Sequence, residues 1–191
     1  ADGVEDVETL QRHGHLVDTL QDLENDTRVL VKGRQGEAHD SDTPAIGSNL
    51  ETVIRTIHRP ILVALPGFEP PERIMVAYDG STTAKKVVEM VARSDLFKGL
   101  DCHLVMAGSE SPRHHEQLAE AKTKLEKGGL EVSASLVSGD VVPVLQEYEE
   151  KHDIDLVVMG AYGHSRIREF LVGSTTTQMI RKSTIPMLLL R

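Results

Sequence analysis

The stretch Leu156-Val-Val-Met-Gly-Ala-Tyr-Gly-His-Ser-Arg-Ile-Arg-Glu-Phe-Leu-Val-Gly-Ser174 decides how the rest of the chain is read. Its four consecutive apolar residues, Leu156 to Met159, suit a short strand buried on both faces. Gly160 and Gly163 follow, then nine residues, then Gly173-Ser174-Thr175 at the start of a helical pattern. A buried strand that feeds a glycine-built loop and a helix start exposes main-chain N–H groups to phosphate oxygens. A weaker version of the same punctuation stands about 126 residues earlier. There Val29-Leu-Val31 leads to Gly33-Arg-Gln-Gly36 and, after ten residues, to Gly47-Ser48-Asn49.

Working outward, strands are expected at 73–78, 101–106, 130–137, 154–159 and 185–190. Helices are expected at 82–95, 113–127, 141–151 and 174–182. Leu118, Ala121 and Leu125 recur at helical spacing after Ser111-Pro112, a cap followed by proline at the first helical position. Asp140 is placed to cap the next helix, whose apolar face is Val144, Leu145 and Tyr148. Alternating strands and helices over about 120 residues predict an α/β fold, an open parallel five-stranded sheet with right-handed crossovers and helices on both faces.

Upstream, residues 5–23 read as helical, with Val7, Leu10, Val17 and Leu20 near one face despite Gly14. A strand at 28–31, a long loop, a helix at 50–58 and a strand at 61–65 follow. Pro66-Gly-Phe-Glu-Pro-Pro71 is the expected linker. The domains are therefore 1–65, which repeats only the second half of the later unit, and 72–191, which is complete. A half-domain of about 65 residues cannot close its own core, so it is expected to dock on residues 72–191, on another chain, or on residues outside this sequence.

The 191 residues are 39% hydrophobic and 27% charged, as in soluble globular proteins, and 3% aromatic with no Trp. The core must therefore be aliphatic, which suits a helix-covered parallel sheet. A net charge of −9 argues against nonspecific binding to nucleic acid or anionic membranes. No apolar run approaches the roughly 20 residues of a membrane span, and Ala1-Asp-Gly-Val-Glu-Asp6 does not read as a signal peptide. A single cysteine, Cys102, excludes an intrachain disulfide framework, and a reducing cytoplasm is the expected compartment.

In a doubly wound sheet, ligands collect at the carboxyl ends of the strands, where strand order reverses. Asp79, Gly160–Gly163 and Gly173-Ser174 should converge there. Asp79 ends an apolar strand and has two readings: a carboxylate accepting from ribose hydroxyls or a base amine, or one arm of a tight turn in which Ser81 caps the next helix. Gly160 and Gly163 can take φ > 0 and admit a phosphate without a Cβ in the way, or can simply end a strand. Gly173, Ser174 and Thr175 offer main-chain donors, hydroxyls and a positive helix end, or mark a helix boundary. Spacing and context together favour anion binding. His164, Arg166 and Arg168 make the later loop cationic, whereas Glu37, Asp40 and Asp42 make the earlier one acidic. If one site binds nucleotide, it should be the later one.

Neither G-x-x-x-x-G-K-S/T nor G-x-G-x-x-G occurs, so binding is better supported than catalysis. His114-His115 and His13 with His15 read as exposed polar residues and not as metal ligands, and Cys102 reads as a small core residue. No His/Asp relay is evident around Ser174. The sequence thus offers no catalytic and no metal-binding residues.

These residues resemble the universal stress protein family. The resemblance rests on Ile74-Met-Val-Ala-Tyr-Asp-Gly-Ser81, Val157-Val-Met-Gly-Ala-Tyr-Gly-His-Ser165, Leu171-Val-Gly-Ser174 and Ile185-Pro-Met-Leu-Leu189. His58-Arg-Pro-Ile-Leu-Val63 stands opposite Ser183-Thr-Ile-Pro-Met-Leu188, as in a tandem member with an incomplete first domain. The resemblance implies a flavodoxin- or Rossmann-like sheet. It also implies an ATP site in which Gly160, Gly163, Gly173 and Ser174 meet the pattern G-x2-G-x9-G-S/T, with His164 and Thr175 alongside. Asp79 is similar to the family acid near adenine and ribose, and Val105-Met106 to the position flanking the base. ATP, with Mg²⁺ as an optional companion, is the implied ligand. The implied function is a stress-associated regulatory or sensor protein with at most slow ATP hydrolysis; the alternative is a nucleotide-free structural protein of the same fold. Family members pair through their last strands, so Ile61–Leu65 and Met187–Leu190 are expected to meet, either within one chain as a pseudo-dimer or between molecules.

Overall fold

Ile74, Met75 and Val76 of β3 (Arg73–Ala77), Leu104 and Val105 of β4 (Asp101–Ala107), and Val157 and Val158 of β6 (Leu156–Gly160) are apolar at successive positions. None of these seven side chains reaches solvent, as the centre of a sheet covered on both faces requires. The computed structural model describes residues 6–34, 47–161 and 174–191. Outside these three strands lie β5 (Glu131–Val137) on one flank and β7 (Met187–Leu190), β2 (Ile61–Ala64) and β1 (Leu30–Gly33) on the other. The order β1-β2-β7-β6-β3-β4-β5 is parallel throughout, except where β2 meets β7.

The expected five parallel strands are therefore present, in the Rossmann order that places the first strand, β3, between β4 and β6. Connections leave β3 in both directions, so the switch point lies between the carboxyl ends of β3 and β6. The sheet does not stop at five strands: β2 and β1 continue it across what the sequence suggested was a domain boundary.

Two core layers flank the sheet. Helices α2 (Ser48–Thr56), α5 (Val141–Lys151) and α6 (Ser174–Lys182) cover one face with Val53, Ile54, Leu145, Met179 and Ile180. Helices α3 (Thr82–Arg93) and α4 (Pro112–Lys127) cover the other with Val87, Val91, Leu118 and Leu125. Caps set the helix starts locally. Ser81 accepts from Ala84 N at 3.0 Å and Ser111 from His114 N at 3.1 Å. Asp140 occupies the N-cap of α5, but its side chain makes no cap bond, contrary to expectation.

The first helix, α1, spans only Leu16–Asp22 and buries no residue fully, although Val17 and Leu20 pack against the α2 layer. The longer helix expected from residue 5 fails at Gly14, whose φ of +127° lies in left-handed space, and Val7 and Leu10 are left 78% and 56% exposed.

β1 and β2 are joined as β6 and β7 are. Leu30 N donates to Pro60 O and Arg34 N to Ala64 O; Val157 N donates to Pro186 O and Ala161 N to Leu190 O. Gly33 faces Ala64 as Gly160 faces Leu190. Across the antiparallel seam Leu62 faces Leu188, with Ile61 opposite Leu189 and Val63 opposite Met187. The expected meeting of these two strands occurs within one chain.

Candidate functional site

The carboxyl ends of β3, β4 and β6 form one rim. β3 leads into Tyr78 and Asp79, and Tyr78 N donates to Val105 O at 2.9 Å, which keeps the end of β4 alongside. Asp79 Oδ1 accepts from Ser81 N at 2.9 Å across Gly80. The tight-turn reading of Asp79 is thus present in full. The side chain is exposed, and Oδ2 makes no hydrogen bond to a described residue, so the carboxylate keeps acceptor capacity at the rim.

Gly80 needs to be glycine for two reasons. Its φ is +73°, and a Cβ there would lie 2.7–2.8 Å from the amide of Gln117 on α4. Gly160 is glycine for a different reason than the sequence suggested. It is not left-handed, and an added Cβ would stand 2.9 Å from Thr83 Cγ2 in the first turn of α3. Its missing side chain brings the amino end of α3 against the end of β6, at the switch point.

The rim also has members that sequence reasoning missed. His114, read as exposed, is half-buried over Gly108 just after β4, and its Nδ1 lies 2.7 Å from Ser109 O. Gln117 covers Gly80 as described. Both side chains rise from the first turns of α4; the available signal was a pair of glycines, Gly80 and Gly108, at the ends of adjacent strands. His115 turns away and its Nε2 lies 2.6 Å from Glu110 Oε2. Tyr78, 4% exposed, has its hydroxyl pKa raised by burial first, then by Glu120 and Asp79.

Val105 and Met106 are 0% and 2% exposed and belong to opposite core layers. Their side chains fill the core, and their main chain lies within the sheet, where Val105 pairs with Ala77 and Ser135 and Met106 with Leu136. Thr175 is half-buried in the first turn of α6, beside the buried Thr176. Gly163, His164, Arg166, Arg168 and Gly173 lie outside the described residues, as do Gly36 and the acids Glu37, Asp40 and Asp42; of Ser174 only the backbone, at the start of α6, is described.

A second polar cluster, also missed from sequence, lies beneath α5. Asp101 Oδ2 is 3.3 Å from His103 Nε2, His103 Nδ1 is 3.0 Å from the Tyr148 hydroxyl, and that hydroxyl is 3.2 Å from Ser135 Oγ. His152 stacks on Tyr148 with ring centroids 4.1 Å apart. Tyr148 therefore turns its ring to the core and its hydroxyl to β4 and β5. Cys102 is the core residue expected: fully buried, with its thiol pKa pushed up to about 12, chiefly by desolvation. Among the described residues no group of three or more His, Cys, Asp or Glu side chains could hold a metal ion, and no helix is long and apolar enough to cross a membrane.

Strand order, layering and the switch-point rim define an α/β protein of the doubly wound, Rossmann-like class. Residues 103–191 match the model of the Universal stress protein family. The whole chain also follows universal stress protein Slr1230 of Synechocystis, 37% identical over 99% of this chain and 67% of that protein. The chain belongs to the universal stress protein family. Among solved structures, a universal stress protein from Archaeoglobus fulgidus superposes with a TM-score of 0.73 at 20% identity, over 92% of this chain and 64% of that one. A universal stress protein solved in complex with cAMP superposes with a TM-score of 0.55 at 22% identity, over 64% of this chain and 98% of that one. The chain thus spans about two thirds of the length of the relatives it follows end to end.

Proposed function

We propose that this chain is an adenine-nucleotide-binding regulatory protein, with ATP as its ligand at the rim between β3 and β6. The observation that carries the reading is the junction at Gly160: its absent Cβ seats the capped amino end of α3 at the switch point, next to the loop that completes the G-x2-G-x9-G-S pattern. In this reading the Gly160–Ser174 loop holds the phosphates, with His164 and Thr175 beside them and Mg²⁺ as an optional companion. Asp79 Oδ2 accepts from the ribose or base, and the end of β4 at Val105 and Met106 flanks the base. A relative of the same fold solved with cAMP supports an adenine nucleotide as the ligand class. Hydrolysis is at most slow in this reading, since the sequence has no Walker lysine to hold the β- and γ-phosphates.

Residues 1–65 are, in the same proposal, the later half of a first domain, and the chain is an intramolecular pseudo-dimer. The matched hydrogen bonds of the two strand pairs support this, and so does a seam in which Leu62 and Leu188, equivalent by the 126-residue offset, face each other.

A nucleotide-free structural role has observations of its own in its favour: Asp79 Oδ1 and Gly160 both already serve the local fold. Calorimetry with ATP and Mg²⁺ separates the two. Wild-type binding that weakens at least about 10-fold in Gly173→Val is expected of a phosphate loop. No wild-type binding at millimolar ATP would leave the structural role standing instead.

A further inference from the structure

At the edge of the sheet opposite the rim, the carboxyl ends of β1 and β2 and the turn between α6 and β7 surround an open pocket of about 1000 Å³. Three cations line it, Arg34, Arg181 and Lys182, together with the amides of Gln146 and Gln178, and no carboxylate among the described residues does. This arises directly from the antiparallel seam. β2 ends where β7 begins, so Arg34 after β1 comes to the last turn of α6, and its Nη1 donates to Ser183 O at 2.7 Å. None of the three cations is in an ion pair among the described residues. Arg34 Nε is also shut off from solvent without a hydrogen-bond acceptor.

Cations in the last turn of a helix complement its dipole, which accounts for Arg181 and Lys182 taken alone. It does not account for Arg34, which comes from another element and brings a third charge to the same place. Nor does it account for the contrast with α2. Arg55 holds the eighth position of that nine-residue helix, as Arg181 does in α6, and Arg55 is neutralised by Glu51 at 2.6 Å. Three cations around one pocket, none ion-paired among the described residues, are unusual in a chain of net charge −9.

We infer that this pocket binds a small polyanion of the oligophosphate class, at a site separate from the nucleotide rim. Guanidinium groups suit phosphate oxygens through paired N–H donors, the lysine adds a point charge, and the two amides supply further donors. Charge spread over two walls of a wide pocket matches a ligand with several anionic groups better than a single carboxylate. α6 begins at the rim and ends at the pocket, and its nine residues hold the two sites apart by about 13 Å.

The test is a titration of the ¹⁵N-labelled 191-residue chain with sodium tripolyphosphate at low ionic strength, without Mg²⁺, read on the arginine Nε–H resonances. Saturable shifts of Arg34 and Arg181 are expected. Affinity should fall at least 10-fold in Arg181→Ala/Lys182→Ala, whose exposed side chains leave the core intact. It should be unchanged in Gly173→Val and in the exposed control Lys127→Ala. Absence of saturable shifts, shifts confined to residues near the rim, or undiminished binding in the double variant would each overturn the inference. Because Gly173→Val separates the two sites, failure of ATP to bind at the rim leaves this result readable.

Discussion

Residues 30–64 and 157–190 build a β-α-β unit of the same register, yet the two units end in different surroundings. β6 has β3 beside it, and the amino end of α3 packs on Gly160, so its carboxyl end lies at a switch point. β1 is the outermost strand, and Gly33, in the position matching Gly160, is exposed at the sheet edge. A glycine loop does not make a site by itself; the strand and helix beside it do. The difference also relocates charge. The later loop carries its own cations in sequence, whereas the end of β1 carries Arg34 and takes Arg181 and Lys182 from the other unit across the seam.

If the two units share one core, the largest effects follow from truncating it on either side of the seam. Ile61 and Met187 are 2% and 1% exposed in the same layer. Ile61→Ala and Met187→Ala should each destabilise the whole chain by about 2–5 kcal/mol. The measurement is urea unfolding followed by far-ultraviolet circular dichroism, with one cooperative transition expected in each variant. If Ile61→Ala left the main transition in place and moved only a minor early one, the first unit would be an appendage and the comparison would lapse.

Much of this arrangement was legible in the sequence for a simple reason. A central parallel strand is apolar at every position, and runs such as Ile74–Ala77 and Leu156–Met159 admit few other readings. Ser81 and Ser111 announced their caps through the polar residue that precedes a helical pattern. What was not legible depends on contacts between distant segments. The left-handed Gly14 ended a helix that apolar spacing alone extended to residue 5. The seam requires the register of β2 against β7, which no local pattern encodes. At the site, Asp79 was found, but its engagement with Ser81 N was not separable from a ligand role on the residues alone. Gly160 was found for its place in a motif, although its contact is with Thr83, and Gln117 and His114 were missed because only the packing of α4 over Gly80 and Gly108 brings them to the rim.

The layer shared by α2, α5 and α6 contains the next largest expected effect. Glu149 of α5 is 6% exposed, its Oε1 has no hydrogen-bond partner, and burial, reinforced by Glu150, raises its pKa from 4.5 to about 7. The folded state therefore holds a proton that the unfolded chain releases, so stability contributed by this group falls as pH rises from about 4.5 to about 7 and is level above that. Glu149→Gln should be near neutral at pH 4.5 and should stabilise the chain at pH 8 by up to about 3 kcal/mol. Chemical denaturation at the two pH values checks it; equal effects at both would mean that Glu149 finds an ionised partner or water when folded.

The smallest effect bears most directly on how the two strand pairs differ. An alanine Cβ at position 160 would stand 2.9 Å from Thr83 Cγ2 and 3.6 Å from Ala84 N. A methyl that close forces Thr83 or the first turn of α3 to give way, which costs about 1–2 kcal/mol. At position 33, exposed on the outer strand, the same change should stay within about 0.5 kcal/mol. Thermal unfolding of Gly160→Ala and Gly33→Ala under identical conditions makes the comparison. The two glycines hold corresponding places in their strand pairs, so any difference between them measures the helix that one has beside it and the other lacks. Equal costs would show instead that the glycine is required by the strand end itself, and the argument that α3 makes the later unit the binding one would lose its physical basis.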